Sequence, residues 1–315
     1  MRTERLGSSG TAISVIGFGA WEAGGGVWGP NPDEDVVIAA MRAGLDAGIT
    51  WIDTAEVYGD GLSETLVGKA VAGRDDALVA TKVAPRPDGT GFRDEEVRRA
   101  CVGSLERLGR DRIDLYQLHW RDDGVPVEET WGAMAALVNE GLVRHIGVSN
   151  FDAELIERCE AIHHVDSLQP QFSLLSVRHR DLIRWCGERA IGVVCYGPLA
   201  YGLLTGAIGP ETEFDRRDWR SRGGTSYYRD LFAPGKLERS LAVVDALRPI
   251  ADRLGITLAE LALAWVAHQP GVTAAIAGSR NPNHVRQNAA AGDVILDTAT
   301  LEEIEATLPL GPGFG

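Results

Sequence analysis

Short apolar runs recur along this chain, and most are followed by a stretch with apolar residues at helical spacing. The first run is Val15-Ile16-Gly17-Phe18. Asn31-Pro32-Asp33-Glu34 then supplies an N-cap, a proline in the first turn and acidic residues at the positive end of a helix. Val37, Met41 and Leu45 lie on one face of that helix. The pattern predicts further strands at 49–53, 78–82, 113–119, 143–149, 167–171, 192–196 and 272–277. It predicts helices near 63–71, 94–108, 127–140, 153–161, 180–188 and 282–290. Ahead of these repeats, residues 3–6 and 12–15 flank Gly7-Ser8-Ser9-Gly10 and predict a small hairpin.

Eight strand–helix alternations without a composition break predict an α/β fold. The expected architecture is a closed parallel (β/α)8 TIM barrel with an N-terminal β-hairpin and additional C-terminal helices. Residues 1–315 read as one domain. An open doubly wound sheet is the rival, and it usually announces dinucleotide binding with GxGxxG. Gly17-Phe18-Gly19-Ala20-Trp21-Glu22 fails at the last position. Residues 202–236 exceed the repeat. They are polar, contain Gly206, Gly209, Gly223 and Gly224, and predict a long functional or mobile loop with little core of its own. Residues 237–268 predict two helices, the second opened by a capping box from Thr257 to Glu260. A final helix is expected to open on a box from Thr300 to Glu303.

Composition narrows the function more than the fold. The chain is 44% hydrophobic and 24% charged, which is ordinary for a globular protein. A formal net charge of −14 repels phosphate backbones, so nucleic acids and anionic membranes are poor partners. Cys101, Cys159, Cys186 and Cys195 show no CxxC and no metal-ligand spacing. They predict reduced, packed thiols, no metal site and a cytoplasmic protein. Met1-Arg2-Thr3-Glu4-Arg5 has no apolar core behind it, so no signal peptide is expected. No apolar run reaches the ~18 residues that span a bilayer.

A parallel barrel places its active site at the C-terminal ends of its strands. Those ends read Asp53, Lys82, His119, Ser149 with Asn150, Gln171, Tyr196, and Gly278-Ser279-Arg280. Each alone has a structural reading: an ion pair for Lys82, a core imidazole for His119. Together, on one rim, they point to a site. A buried lysine loses its charge without a carboxylate, and Asp53 on the neighbouring strand is the counter-ion at hand. Tyr58 follows on the connecting loop, where a packed aromatic is the plainer alternative. A phenol with a pKa near ~10 is a poor acid at neutral pH, and an adjacent ammonium lowers that value. His119 is placed to orient a carbonyl by donating a hydrogen bond. Such a group protonates a developing alkoxide. It suits carbonyl reduction with hydride from a cofactor, because no side chain supplies hydride. Trp21, Trp28 and Trp120 are candidates for the walls of a substrate pocket, with simple packing as the alternative. Gly24-Gly25-Gly26 reads as a flexible loop.

The segments Asp53-Thr54-Ala55-Glu56-Val57-Tyr58-Gly59, Ala80-Thr81-Lys82, Leu118-His119, Ile146-Gly147-Val148-Ser149-Asn150-Phe151, Gln169-Pro170-Gln171 and Tyr196-Gly197-Pro198-Leu199 resemble the aldo-keto reductases. The resemblance runs from the hairpin to the last helix. It implies a barrel that binds NADP(H), with NAD(H) as the alternative, without a Rossmann domain. Tyr58 would be the general acid, with Lys82, Asp53 and His119 completing a tetrad. Ser149, Asn150 and Gln171 would hold the nicotinamide carboxamide, and Tyr196 would stack on the ring. Gly197, Pro198, Leu199 and Gly202 would continue the cofactor site into the extended loop. Gly278, Ser279, Arg280, His284, Gln287 and Asn288 would serve the pyrophosphate and adenosine end. Family members commonly carry Gln or Arg where His284 stands and Glu where Gln287 stands, so this chain departs from the family at the adenosine end.

Arg280, just ahead of a helix N-terminus near Pro282, is placed to grip a 2′-phosphate, with Arg286 and His284 nearby. That favours NADPH over NADH. The expected activity is an NADP(H)-dependent oxidoreductase acting on a small-molecule carbonyl or alcohol. Selectivity is expected on the loops at 19–30, 84–93, 120–126 and 202–236. Two rivals stand beside it: a cofactor-binding regulatory subunit of aldo-keto reductase type, and a barrel lyase using Lys82 as a Schiff-base nucleophile.

Overall fold

The computed structural model describes residues 1–85, 91–222, 229–233 and 235–308. Residues 86–90 of one selectivity loop, and Gly223 and Gly224 of the long loop, lie outside the described residues. Strands β1 (Thr3–Arg5) and β2 (Ala12–Ser14) pair antiparallel, with Glu4 opposite Ile13, as the hairpin reading expected. The barrel strands are β3 (Ile16–Gly19), β4 (Trp51–Asp53), β5 (Leu78–Val83), β6 (Ile113–Leu118), β7 (Val143–Ser149), β8 (Ser167–Gln169), β9 (Gly192–Tyr196) and β10 (Ala274–Ala277). They close in the order β10-β3-β4-β5-β6-β7-β8-β9, and their pairings are parallel. The (β/α)8 barrel is therefore present with its hairpin.

Helices α1 (Glu34–Asp46), α2 (Leu62–Val71), α3 (Asp94–Leu108), α4 (Val127–Asn139), α5 (Ala153–Glu160) and α6 (Arg180–Gly187) connect successive strands. Beyond β9 come α7 (Arg229–Phe232), α8 (Leu237–Leu254) and α9 (Leu258–Ala267). The chain ends with α10 (Pro282–Ala290) and α11 (Thr298–Thr307). Helices cover the outer face of the sheet and side chains fill the inner face, so even a short strand such as β4 is buried throughout.

Inside the barrel, Leu6 and Ile13 of the hairpin region join Trp51, Leu115, Val194 and Ile276 in one apolar cluster. The Trp51 indole donates to the Ser14 carbonyl at 2.9 Å. Gly17 makes room for that indole, since a Cβ there would sit 2.3 Å from its ring. The hairpin thus stoppers the end where the strands begin and leaves the other end open for chemistry. All four cysteines are buried. Burial pushes the thiols of Cys101, Cys159 and Cys186 up to about 12, so they pack as protonated, apolar groups. Among the described residues, no helix is long and apolar enough to cross a membrane.

Two helix starts differ from the sequence reading. Asp33 caps α1, its carboxylate accepting from the Asp35 N–H at 3.0 Å, so Asn31 and Pro32 precede the helix. Asp297 caps α11 by accepting from the Thr300 N–H at 2.8 Å, which places Thr300 inside the first turn. In both cases an aspartate nearer the apolar run satisfies the free N–H groups and also complements the helix dipole. The Thr257–Glu260 box forms as expected at the start of α9.

Candidate active site

Strand register brings the expected acid–base groups together. Lys82 of β5 lies opposite Gln117 of β6, and Ser149 of β7 lies opposite Gln169 of β8. Lys82 is fully buried and donates to Asp53 Oδ1 at 2.6 Å and to the Thr54 carbonyl at 2.7 Å. Burial pulls the Lys82 ammonium below its ordinary pKa, and the Asp53 carboxylate opposes that pull. Asp53 Oδ2 accepts from Gln169 Nε2 at 2.8 Å and from Gln117 Nε2 at 3.5 Å. Three strands therefore hold one carboxylate against one lysine.

Tyr58 stands on the turn after β4. The Lys82 Nζ lies 5.3 Å from its ring centroid. The turn is fixed from outside: Gly59 has φ +64°, and a Cβ on Gly24 would lie 2.6 Å from the Tyr58 carbonyl carbon. Gly24 is buried and packed, so this part of the triple glycine is a close-approach device rather than a loose loop. His119 follows β6. Its ring meets Tyr58 edge-on at 5.6 Å and 78°. Burial, and then the Lys82 charge, hold its pKa well below the ordinary value, so the imidazole is neutral at pH 7. Nδ1 is sealed from solvent without a hydrogen-bond partner among the described residues.

Asn150 adopts φ +62°, a left-handed conformation that asparagine tolerates better than most residues. It thereby turns back onto the rim. Its Nδ2 donates to the His119 carbonyl at 3.0 Å, and its Oδ1 accepts from the Tyr196 hydroxyl at 2.9 Å. A cavity of about 780 Å³ runs from Asp53, Tyr58 and His119 past Ser149, Asn150 and Tyr196. It continues past Gly197, Pro198, Leu199 and Gly202 to Gly278, Ser279, His284, Gln287 and Asn288. Trp21, Trp28 and Trp120 also border it.

Two residues expected in the cofactor site fall elsewhere. Gln171 does not line the cavity; its amide lies between Tyr201 OH at 3.3 Å and Arg178 Nη2 at 3.0 Å. Gln169, the last residue of β8, lines it instead. Arg280 is also outside the lining. Its Nε and Nη2 both donate to the Glu22 carbonyl, at 3.0 and 2.7 Å, and Nη1 to that of Pro30 at 3.4 Å. The guanidinium thus ties the segment after β10 to the loop after β3.

The sequence reading also missed residues of the two facing loops. Trp28 bridges Asp218, and the Trp219 N–H donates to the Val27 carbonyl at 2.8 Å. Buried Trp219 stacks on Trp21 at 6.4 Å and meets Tyr201 edge-on at 5.1 Å. Arg220 is paired with Asp218 at 2.6 Å and lies over the Trp28 ring at 5.0 Å. The expectation that the long loop has little core of its own is corrected here: aromatic rings supply one. Ala200 and Tyr201 are both left-handed, with φ +46° and +57°, which puts strain beside the cavity. Glu22 also lines the cavity, and burial holds its carboxyl above the usual range against Arg280 and Arg220.

The model of the aldo/keto reductase family matches residues 15–309. The chain belongs to this family. It is 34% identical to an aldo-keto reductase of Bacillus subtilis, over 100% of this chain and 97% of that protein. Among solved structures, a glycerol dehydrogenase from Gluconobacter oxydans superposes with a TM-score of 0.86 at 31% identity, covering 98% of both chains. An aldo/keto reductase from Klebsiella pneumoniae, solved with NADP and acetate, gives a TM-score of 0.77 at 34% identity, covering 98% of this chain and 96% of its own. Family membership brings a general oxidoreductase role, and structural neighbours carry NADP or NADPH.

Proposed function

We propose that this aldo-keto reductase interconverts a carbonyl compound and its alcohol, using NADP(H), with Tyr58 as the proton donor. One observation carries the reading. A fully buried lysine, paired with Asp53 at 2.6 Å, stands 5.3 Å from the ring of a tyrosine on the cavity wall. The residues present fit a nicotinamide dinucleotide. The cavity is large enough, and the Ser149–Asn150–Gln169 amide and hydroxyl groups stand beside the acid–base cluster. At its far end the cavity reaches the first turn of α10, where the positive end of the helix dipole suits an anion. The dinucleotide, when bound, supplies the hydride.

The chain's own groups supply the rest. Tyr58 gives its proton to the carbonyl oxygen as negative charge develops there. The Lys82 ammonium stabilises the phenolate left behind, and Asp53 keeps Lys82 charged and in place. His119 presents Nε2–H to the same oxygen, because a sealed Nδ1 is better left as a lone pair than as an unpaired N–H. Trp21 and Trp28 give the substrate an apolar surround.

The Schiff-base reading finds little support, since Lys82 does not border the cavity and is held as an ammonium by Asp53, with two of its three protons on Asp53 and Thr54. A panel of aldehydes and ketones with NADPH, followed by loss of the reduced-nicotinamide absorbance, tests the proposal. Turnover of at least one carbonyl class is expected. Tight NADPH binding with no consumption across the panel would favour the regulatory-subunit reading.

A further inference from the structure

Among the described residues, the side chain of His119 has no hydrogen-bond partner to hold it. Its backbone is fixed on both sides: the N–H donates to the Val83 carbonyl at 2.9 Å, and its carbonyl accepts from Asn150. The ring is different. Nδ1 is sealed without a partner, and torsions that turn a flat ring have broad, shallow minima. Ring contacts must therefore set its orientation. Tyr58 touches only with an edge. Trp120 lies face to face with the imidazole, centroids 3.7 Å apart and planes within 9°. That indole is 40% exposed, so its place is not explained by core packing.

We infer that Trp120 is a positioning residue for His119, holding the imidazole in the plane that turns Nε2 toward the cavity. The inference rests on the reading of His119 as the group that orients the carbonyl. It also accounts for a large aromatic at the cavity mouth with one face in water: the other face is occupied by the histidine. Covering one face of the imidazole adds to the burial that keeps the ring neutral.

A substrate wall and a positioning residue leave different kinetic marks. Loss of a wall contact removes binding common to ground and transition states, and KM rises. Loss of positioning lowers kcat with KM nearly unchanged. The variants Trp120→Leu and Trp120→Phe, each with and without His119→Gln, separate the two. Trp120→Leu is expected to lower kcat by roughly 10-fold, short of the ~10²-fold that an ångström of misplacement costs. Trp120→Phe, which keeps a flat ring for stacking, should recover most of the loss. In the His119→Gln background Trp120→Leu should cost little more, because the indole acts through the missing imidazole. Nitrogen NMR of His119 should show the Nε2–H tautomer in the parent and a mixture in Trp120→Leu. A raised KM at unchanged kcat, or equal losses in both backgrounds, would overturn the inference. Wild-type turnover of His119→Gln alone would instead remove the reading of His119 on which it rests.

Discussion

Arg280 shows how a residue can be well chosen from sequence and still serve another group. Its place just ahead of α10 suggests a phosphate ligand, yet three carbonyl contacts hold it against Glu22 and Pro30. Arg280→Ala is therefore expected to loosen the loop after β3 and to weaken NADPH and NADH to similar extents, by at most about 1.5–3 kcal/mol, the range for bonds to a charged group, because the lost bonds act on the cofactor only through the loop. Isothermal titration with both cofactors checks this; a loss confined to NADPH would mean that the guanidinium leaves those carbonyls for the 2′-phosphate. Asp53, Lys82 and His119 were legible because apolar runs ended on them. Gln169 was not, because Gln169 and Gln171 share a strand face, so alternation alone could not choose between them. Tyr201 and Arg220 were hidden because their roles depend on contacts between two loops, which no local pattern encodes.

On β5, alternation sends Lys82 inward and Thr81 outward, and the outward side holds a second buried charge. Glu64 of α2 is fully buried, accepting from Thr81 Oγ1 at 2.6 Å and from Arg107 Nε of α3 at 2.6 Å. Removing one partner of such a pair strands the other charge. Arg107→Met is expected to cost about 3 kcal/mol, the low end for a broken buried pair because the Arg107 side chain is 32% exposed. The double variant Glu64→Gln with Arg107→Met should lose less. Denaturant unfolding of both variants checks the order; equal or smaller loss in Arg107→Met alone would show the pair to be inert. At this scale most of the barrel was legible, since helical and strand periods alternate cleanly from β3 to β10. Errors fell at the ends of elements, where Asp33 and Asp297 took the caps and where β8 ended at Gln169. The long loop was read as polar, yet Trp219 and Phe232 within it meet at 5.4 Å, because sparse aromatics build a cluster without any period.

Across the whole molecule, burial sets the response to pH. His119 and His179 are both held below the ordinary histidine pKa, His179 at about 4, and His268 is also lowered; in each case burial is the leading cause. The unfolded chain binds protons at these sites as pH falls through about 6.5, while the folded chain binds them only at lower pH. Stability is therefore expected to fall from pH 7 toward pH 5, before most carboxylates titrate. Glu22, whose pKa is raised, contributes with the opposite sign. Melting temperatures at those pH values check the direction, and a melting temperature that rose toward pH 5 would contradict it. The hairpin stopper at one end of the barrel and the joined loops at the other leave a large cavity for the chemistry. The central claim is that Tyr58 delivers the proton there. It is tested most directly by comparing Tyr58→Phe with the parent on the best carbonyl substrate, measuring kcat and the NADPH dissociation constant together. The account predicts a fall in kcat of roughly 10²-fold or more with the dissociation constant little changed, the usual worth of a general acid. Turnover equal to the parent's would contradict it.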